Sequence, residues 1–128
     1  ADAVFALVAG MALTFEPQRA TFDAGYPDLL AAPEVDLLVA EVGGEVVGYL
    51  LGTAHRSLAA DGIVSWVEEV AVGAPHRRRG LGALLMAEFE RRAAARGSRL
   101  VALATTRAGD FYAALGYTAH ATYFRRLL

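Results

Sequence analysis

Hydrophobic residues recur every three or four positions in three stretches of the chain, and this spacing predicts three helices. The first covers residues 2–12, with Asp2 as its N-cap. Its apolar face comprises Val4, Leu7, Val8 and Met11. A short helix is predicted over residues 108–115, where it ends before Gly116.

The longest of the three predicted helices covers residues 80–97, with Gly97 as its C-terminal stop. Glu88 and Arg92 are spaced as an i,i+4 ion pair on its polar side. Its apolar stripe comprises Leu81, Leu84, Leu85 and Phe89. Residues 14–34 are interrupted by Pro17, Pro27 and Pro33, which predicts a helix near 18–22 or somewhat longer, followed by an irregular stretch.

Between these helices the pattern changes to runs of β-branched and alternating residues, which predict strands. Two runs on either side of Gly43 and Gly44 predict a β-hairpin with a Gly-Gly turn. Further strands are predicted over 62–72, 99–105 and from Tyr117 or Thr118 to Leu127. The order of elements predicts one domain over residues 1–128, with an α/β or α+β fold around a mixed sheet.

Composition then removes several classes of function. A chain of 128 residues that is 55% hydrophobic and 20% charged is not intrinsically disordered. It contains no cysteine, which excludes disulfides and a thiol nucleophile, and no lysine, which excludes a Schiff base and a P-loop lysine. The net charge of −2 gives no general attraction to nucleic acid or an anionic membrane. The apolar run at 3–13 is too short for a membrane span and lacks the basic flank of a signal peptide.

The segment from 77 to 82, Arg-Arg-Arg-Gly-Leu-Gly, follows a strand and opens the long helix. Glycines there let a ligand approach the backbone, and the free N–H groups of a helix start favour an anion. The segment is neither a P-loop nor a dinucleotide fingerprint, because lysine is absent and Leu85 stands where the third glycine belongs. Taken alone, the segment favours a tight turn with a solvated arginine surface over an anion site.

Two motifs together resemble the GCN5-related N-acetyltransferase (GNAT) superfamily. The first is Arg-x-x-Gly-x-Gly at 77–82, directly after the strand that ends at Val72. The second, at 105–117, is similar to the family's N-x-x-A-x-x-F-Y-x-x-x-G-F segment, with Thr105 in place of asparagine. The resemblance implies a mostly antiparallel mixed sheet flanked by helices, with two neighbouring strands splayed apart. It also implies that the family's first strand is absent from this chain.

The resemblance further implies a cytoplasmic enzyme that moves the acetyl group of acetyl-CoA directly to a primary amine of a small molecule or protein. The alternative is a non-catalytic acyl-CoA-binding or regulatory domain of the same fold. The residues that the resemblance assigns to acetyl-CoA are Val70, Ala71, Val72, Arg77, Arg78, Arg79, Gly80, Leu81, Gly82, Ala83, Thr105, Ala108 and Tyr112.

For catalysis, the resemblance makes Tyr112 the proton donor to the departing thiolate and an acidic residue near 68–69 the base. Strand alternation places Glu68 and Glu69 on opposite faces, with Glu69 favoured as facing the cleft and Glu68 as the alternative. The alternative for both is a solvated or structural carboxylate. Phe111 is expected to take the core position in preference to Tyr112.

The amine acceptor is not named by the sequence. Aromatic residues that could line its site are Phe22, Tyr26 and Trp66. The three histidines have no partners at metal-ligand spacing, so no metal is expected. No nucleic-acid or membrane partner is expected either, while the resemblance allows a homodimer to which the apolar C-terminal strand contributes.

Overall fold

The computed structural model describes residues 1–12 and 14–128, so Leu13, the last residue of the apolar run at 3–13, lies outside the described residues. The helices are α1 (Asp2–Met11), α2 (Arg19–Ala31), α3 (Leu81–Ala95) and α4 (Gly109–Ala114). The strands are β1 (Val35–Val42), β2 (Glu45–Ser57), β3 (Gly62–Val72) and β4 (Ser98–Leu103), and a single 3₁₀ turn covers Ala74–His76.

The strands form one sheet in the order β1-β2-β3-β4. The β1–β2 and β2–β3 pairs are antiparallel and the β3–β4 pair is parallel, as a mixed, mostly antiparallel sheet requires. The hairpin turn lies at Gly43 and Gly44, whose φ angles of +59° and +81° suit glycine and match the twist of the flanking strands. The predicted hairpin and the predicted strand at 62–72 are confirmed.

A β-bulge interrupts β3 at Glu68, because Gly52 of β2 pairs with Val67 while Leu51 pairs with Glu69. Just beyond this point β3 and β4 separate. Their last paired residues are Val67 and Leu103, whereas β3 continues to Val72. The expected splay of two neighbouring strands is therefore present, and it leaves one edge of β3 open.

The two faces of the sheet carry different helices. Residues of β2 with even numbers face α3, since Leu50 belongs to the core cluster with Phe89. Residues with odd numbers face α1, where the hydroxyl of Tyr49 reaches Met11. The core cluster on the α3 face comprises Leu50, Val67, Leu85, Met86 and Phe89.

Three predicted elements differ from the structure. The irregular stretch after residue 22 is helical, because α2 continues to Ala31 with Pro27 inside it. Asp2 is the first residue of α1 and makes no capping bond, since its carboxylate pairs with Arg19 at 2.6 Å. Leu84 is 65% exposed, and the buried face of α3 is completed by Met86 and Ala93 instead.

The predicted C-terminal strand is also wrong for this structure. Residues from Tyr117 to Leu128 have no regular secondary structure and pair with no strand within the described part of the chain. Their large apolar side chains, including Tyr123 and Phe124, are exposed. None of the helices, as far as the chain is described, is long and apolar enough to cross a membrane.

Candidate active site

The gap between the diverging strands opens into a cavity of about 350 Å³. One wall is β3 from Val67 to Val70, and the opposite wall is the chain from Leu103 to Ala108 that follows β4. Met11 reaches the cavity from α1 and Tyr112 reaches it from α4. The cavity is thus bordered by groups from both faces of the sheet at the point where the two strands separate.

A second cavity, of about 470 Å³, continues along the open edge of β3. It lies between α1 and the segment from Val70 to Ala74, and it includes Arg77. Both cavities share Met11, Val70 and Arg107, so they form one cleft that leads from the strand gap towards the loop before α3.

Both glutamates of β3 line the first cavity, and the bulge turns them to the same face. The hydroxyl of Tyr49 donates to Oε1 of Glu69 at 2.7 Å, and that of Thr53 donates to Oε1 of Glu68 at 3.2 Å. Tyr49 and Thr53 both face α1, so the expectation that the two carboxylates lie on opposite faces is wrong. The extra residue of a bulge breaks the alternation on which that expectation rested.

Tyr112 approaches the same cavity from the other side of the sheet. Its ring packs against the core cluster on the α3 face and makes edge contacts with the rings of Phe111 and Tyr117. Burial raises the pKa of its phenol above the usual 10, which keeps the hydroxyl protonated as a donor. Phe111 is 37% exposed, so the core position expected for it belongs to Tyr112.

Backbone groups along the open edge of β3 alternate between the cleft and β2. The N–H of Gly73 donates to the carbonyl of Val47 at 2.8 Å, so the backbone groups of Gly73 point to β2. Because this direction alternates along a strand, the backbone groups of Ala71 also point to β2, at Tyr49, whereas those of Val70 and Val72 point to the open edge. Ala71 therefore lines the cleft with its side chain, and its contact with acetyl-CoA stays a prediction. Arg77 donates its Nε–H to the carbonyl of Val72 at 3.1 Å.

The loop before α3 presents a row of free backbone donors. Arg78 and Gly80 have φ angles of +63° and +78°, and Gly80 is the N-cap of α3. In the described chain, none of the N–H groups from Arg78 to Ala83 donates to a protein acceptor, and the first N–H bonded back is that of Leu84, to Gly80. Successive free N–H groups beside exposed arginines form a concave site for an anion such as a pyrophosphate.

Thr105 and Ala108, both expected at the acyl donor, line the first cavity next to each other. Thr105 Oγ1 accepts the N–H of Ala108 at 2.9 Å, which caps the turn into α4. Its hydroxyl proton is left to donate to another group.

The three aromatic residues predicted to line the site of the amine acceptor, Phe22, Tyr26 and Trp66, line neither cavity. Phe22 and Tyr26 stack on each other at 4.9 Å on α2, and Phe22 packs edge-on against Phe5 of α1 at 5.2 Å. Trp66 precedes the bulge on β3, opposite Thr53. Phe22 thus holds α2 to α1 while Tyr26 stacks on it, and the spacing of the two aromatics alone does not distinguish this packing from a ligand wall.

Sequence reasoning missed Met11, Thr14 and Arg107, all of which line the cleft. Arg107 belongs to the motif at 105–117. It lines both cavities because β3 and β4 separate at this point. Tyr49 was missed as well, because its contact with Glu69 depends on the register of β2 against a bulged β3. Across the described residues, no group of three or more His, Asp or Glu side chains is arranged to hold a metal ion.

Comparison with known proteins agrees with this geometry. The family model described as "Acetyltransferase (GNAT) family" matches residues 7–117. No curated protein matches the chain by sequence. Several solved structures share the fold at low sequence identity, and three of them illustrate its range.

A transcriptional regulator from Bacillus halodurans C-125 is 21% identical with a TM-score of 0.87, over 98% of this chain and 92% of that one. An acetyltransferase from Trypanosoma brucei is 22% identical with a TM-score of 0.83, over 99% and 92% of the two chains. Glucosamine-6-phosphate N-acetyltransferase from Arabidopsis thaliana is 16% identical with a TM-score of 0.84, over 95% and 86%. At these identities the likeness establishes the fold alone.

Proposed function

The chain belongs to the GNAT acetyltransferase family, and from that premise we propose that it transfers the acetyl group of acetyl-CoA to a primary amine. The amine attacks the thioester directly while both substrates are bound. The observation that carries this proposal is the strand gap itself, with two carboxylates on one face of the sheet and one phenol on the other.

The donor half of the cleft suits the chemistry of coenzyme A. Acetyl-CoA would supply the acetyl group as a thioester. The free N–H groups from Arg78 to Ala83 would bind its pyrophosphate, and the open edge at Val70 and Val72 would pair with the amides of its pantetheine arm. A β-strand edge with unpaired donors and acceptors binds an extended amide chain in the same manner as another strand.

The remaining groups at the strand gap accept and donate the protons that the reaction transfers. The attacking nitrogen, which has already lost its extra proton to solvent and is a neutral amine, forms a bond to the acetyl carbon while the carbon–sulfur bond breaks, so one proton must then leave nitrogen and one must reach sulfur. Glu69, or Glu68 beside it, accepts the amine proton on the α1 face, directly or through water. Tyr112 donates its phenolic proton to the departing sulfur on the α3 face. Because the two groups lie on opposite sides of the gap, neither obstructs the other.

The acceptor is a small-molecule or protein amine. The α1 face of the gap, where it would enter, carries Glu68 and Glu69, which attract an ammonium group before it is deprotonated. The names of similar structures span a sugar phosphate acetyltransferase and a transcriptional regulator, so they do not narrow this choice.

The test is release of free thiol from acetyl-CoA in the presence of panels of amines. The chain has no cysteine, so a thiol-reactive dye reports only on the coenzyme A produced. Amine-dependent release, abolished by omission of the protein, supports the proposal. Tight binding of acetyl-CoA with no release on any amine class would instead favour a non-catalytic acyl-CoA-binding domain.

A further inference from the structure

Tyr49 lies beneath the floor of the cleft and is completely buried in β2. Its hydroxyl donates to Oε1 of Glu69 at 2.7 Å, and its other close neighbour is Sδ of Met11 at 4.0 Å, which is a weak acceptor. A buried phenol without a partner is costly, so this hydroxyl depends on the Glu69 carboxylate.

The bond is of the strong, charge-assisted kind. Burial and the neighbouring Glu69 charge raise the pKa of Tyr49 well above 10, so its hydroxyl stays protonated and can only donate here. Oε2 of Glu69 accepts no hydrogen bond from any residue in the described ranges. Oε1 of Glu69 is therefore held by the Tyr49 hydroxyl, while Oε2 is available to a group in the cavity.

The second glutamate is held differently. Glu68 is exposed, and its bond from Thr53 is longer, at 3.2 Å, with both partners in reach of water. The bulge thus brings two carboxylates to one face, but only one of them is fixed by a buried donor.

We propose that Tyr49 is a positioning residue that orients the Glu69 carboxylate towards the attacking amine and thereby makes Glu69, rather than Glu68, the base. The inference rests on the proposed acetyl transfer and deepens it. The other charged or titratable groups that line the same cavity are Glu68, Arg107 and Tyr112, and none of them donates a hydrogen bond to Glu69 within the described residues.

The test compares Tyr49→Phe with Thr53→Val, which removes the equivalent hydroxyl from the other glutamate. On an amine identified by thiol release, we expect Tyr49→Phe to lower kcat/KM about tenfold, which corresponds to ~1.4 kcal/mol. The loss should appear in kcat, with KM for the amine nearly unchanged, because Tyr49 orients the base and does not contact the amine. Thr53→Val should leave both quantities unchanged.

A double-mutant cycle separates positioning from packing. If Tyr49 acts through Glu69, Tyr49→Phe has no further effect on kcat/KM in a Glu69→Gln background. An equal loss in both backgrounds would make Tyr49 a packing residue and overturn the inference. If Glu69→Gln retains wild-type activity while Glu68→Gln does not, Glu68 is the base and the inference also fails, although acetyl transfer stands.

A measurement without turnover keeps the inference separate from the proposed function. The Tyr49 hydroxyl proton should give a slowly exchanging NMR signal that moves in Glu69→Gln but not in Glu68→Gln. Should Tyr49→Phe fold poorly, fluorotyrosine introduced at position 49 strengthens the donor and should shift the same signal. Absence of any response to Glu69→Gln would show that the two groups do not interact in solution, and the inference would fall whatever the enzyme activity.

Discussion

Phe89 of α3 lies so close to Gly52 of β2 that a Cβ at position 52 would come 2.2 Å from Cε1 of its ring. Gly52 pairs with Val67, the last residue of β3 before the bulge. The absence of a side chain there lets α3 settle onto the sheet beside the point where the strands diverge. The same helix presents at its start the free N–H groups of residues 78–83.

Gly52→Ala should therefore destabilise the fold by about 1–3 kcal/mol, since the ring is fully buried and cannot move aside without cost. Urea unfolding followed by circular dichroism measures the change. Gly25→Ala is the matched control, because a Cβ at Gly25 has nothing within 4 Å and α2 gains a better helix former. It should be stabilising by about 0.5–1 kcal/mol. Equal stability of the two variants would show that Phe89 does not occupy this position in solution.

Elements decided by local signals could be predicted from the sequence. The Gly43–Gly44 turn and the strand at 62–72 are each determined by residues that are neighbours in the sequence. The same holds for the end of α3, which Gly97 follows. The motif at 77–82 likewise predicts free donors, because glycine and a helix start lie next to each other in the chain.

Features that depend on pairing could not be predicted. The bulge at Glu68 is one extra residue in a ladder, visible only against β2, and it decides which face each glutamate occupies. The alternation after Tyr117 looks like a strand, but a strand also needs a partner edge, which alternation does not supply. Phe111 and Tyr112 are adjacent in a short helix, and only the packing of α4 against α3 decides that the ring of Phe111 lies beside Gly82 while that of Tyr112 packs on the core cluster.

Asp36 of β1 is a buried carboxylate on the α3 face, with Arg96 at 3.0 Å and Arg92 at 3.5 Å. Replacing it with asparagine removes the charge partner of Arg96 and one of the two charge partners of Arg92. The expected loss is about 2 kcal/mol, below the cost for a fully buried pair because the arginine side chains are 25% and 45% exposed. Urea unfolding of Asp36→Asn measures it.

Glu88→Gln is the control for Asp36→Asn, because Glu88 also pairs with Arg92 but lies at the surface. Hydrogen bonds from Arg91 and Arg92 lower the pKa of Glu88 from 4.5 to about 2. A lowered pKa stabilises the folded state above pH 4.5, and this contribution disappears as the pH falls towards 2. We expect only a small loss of Tm at pH 7, and it should vanish over that acidic range. A loss as large as that of Asp36→Asn would contradict the distinction between the buried and exposed pairs.

Gly82→Val tests whether the free N–H groups from Arg78 to Ala83 bind an anion. If the backbone at the start of α3 binds the pyrophosphate, the added side chain should weaken binding of coenzyme A at least about tenfold in calorimetry. A Cβ at position 82 would also lie 3.2 Å from Cζ of Phe111, so the variant presses on α4 as well.

Phe111→Ala separates these two effects, because it removes the ring that the new side chain at position 82 would meet. Loss of affinity that persists when Gly82→Val is combined with Phe111→Ala belongs to the ligand site. Restoration of wild-type affinity in the double variant would show instead that Gly82 serves the packing of α4 against α3.

Tyr112→Phe tests the proton donor. Removal of the hydroxyl keeps the ring that packs on the core cluster, so Tm and affinity for coenzyme A should hardly change. The kcat should fall on the order of 100-fold, because the sulfur becomes anionic only along the reaction path. Tyr117→Phe is the matched control, since that hydroxyl bonds Glu90 at 2.6 Å and Tyr117 does not line the cleft. Tyr117→Phe should retain the wild-type kcat even if its Tm falls. A stable Tyr112→Phe variant with wild-type kcat on a verified amine would return Tyr112 to a packing role and leave the departing thiolate to solvent.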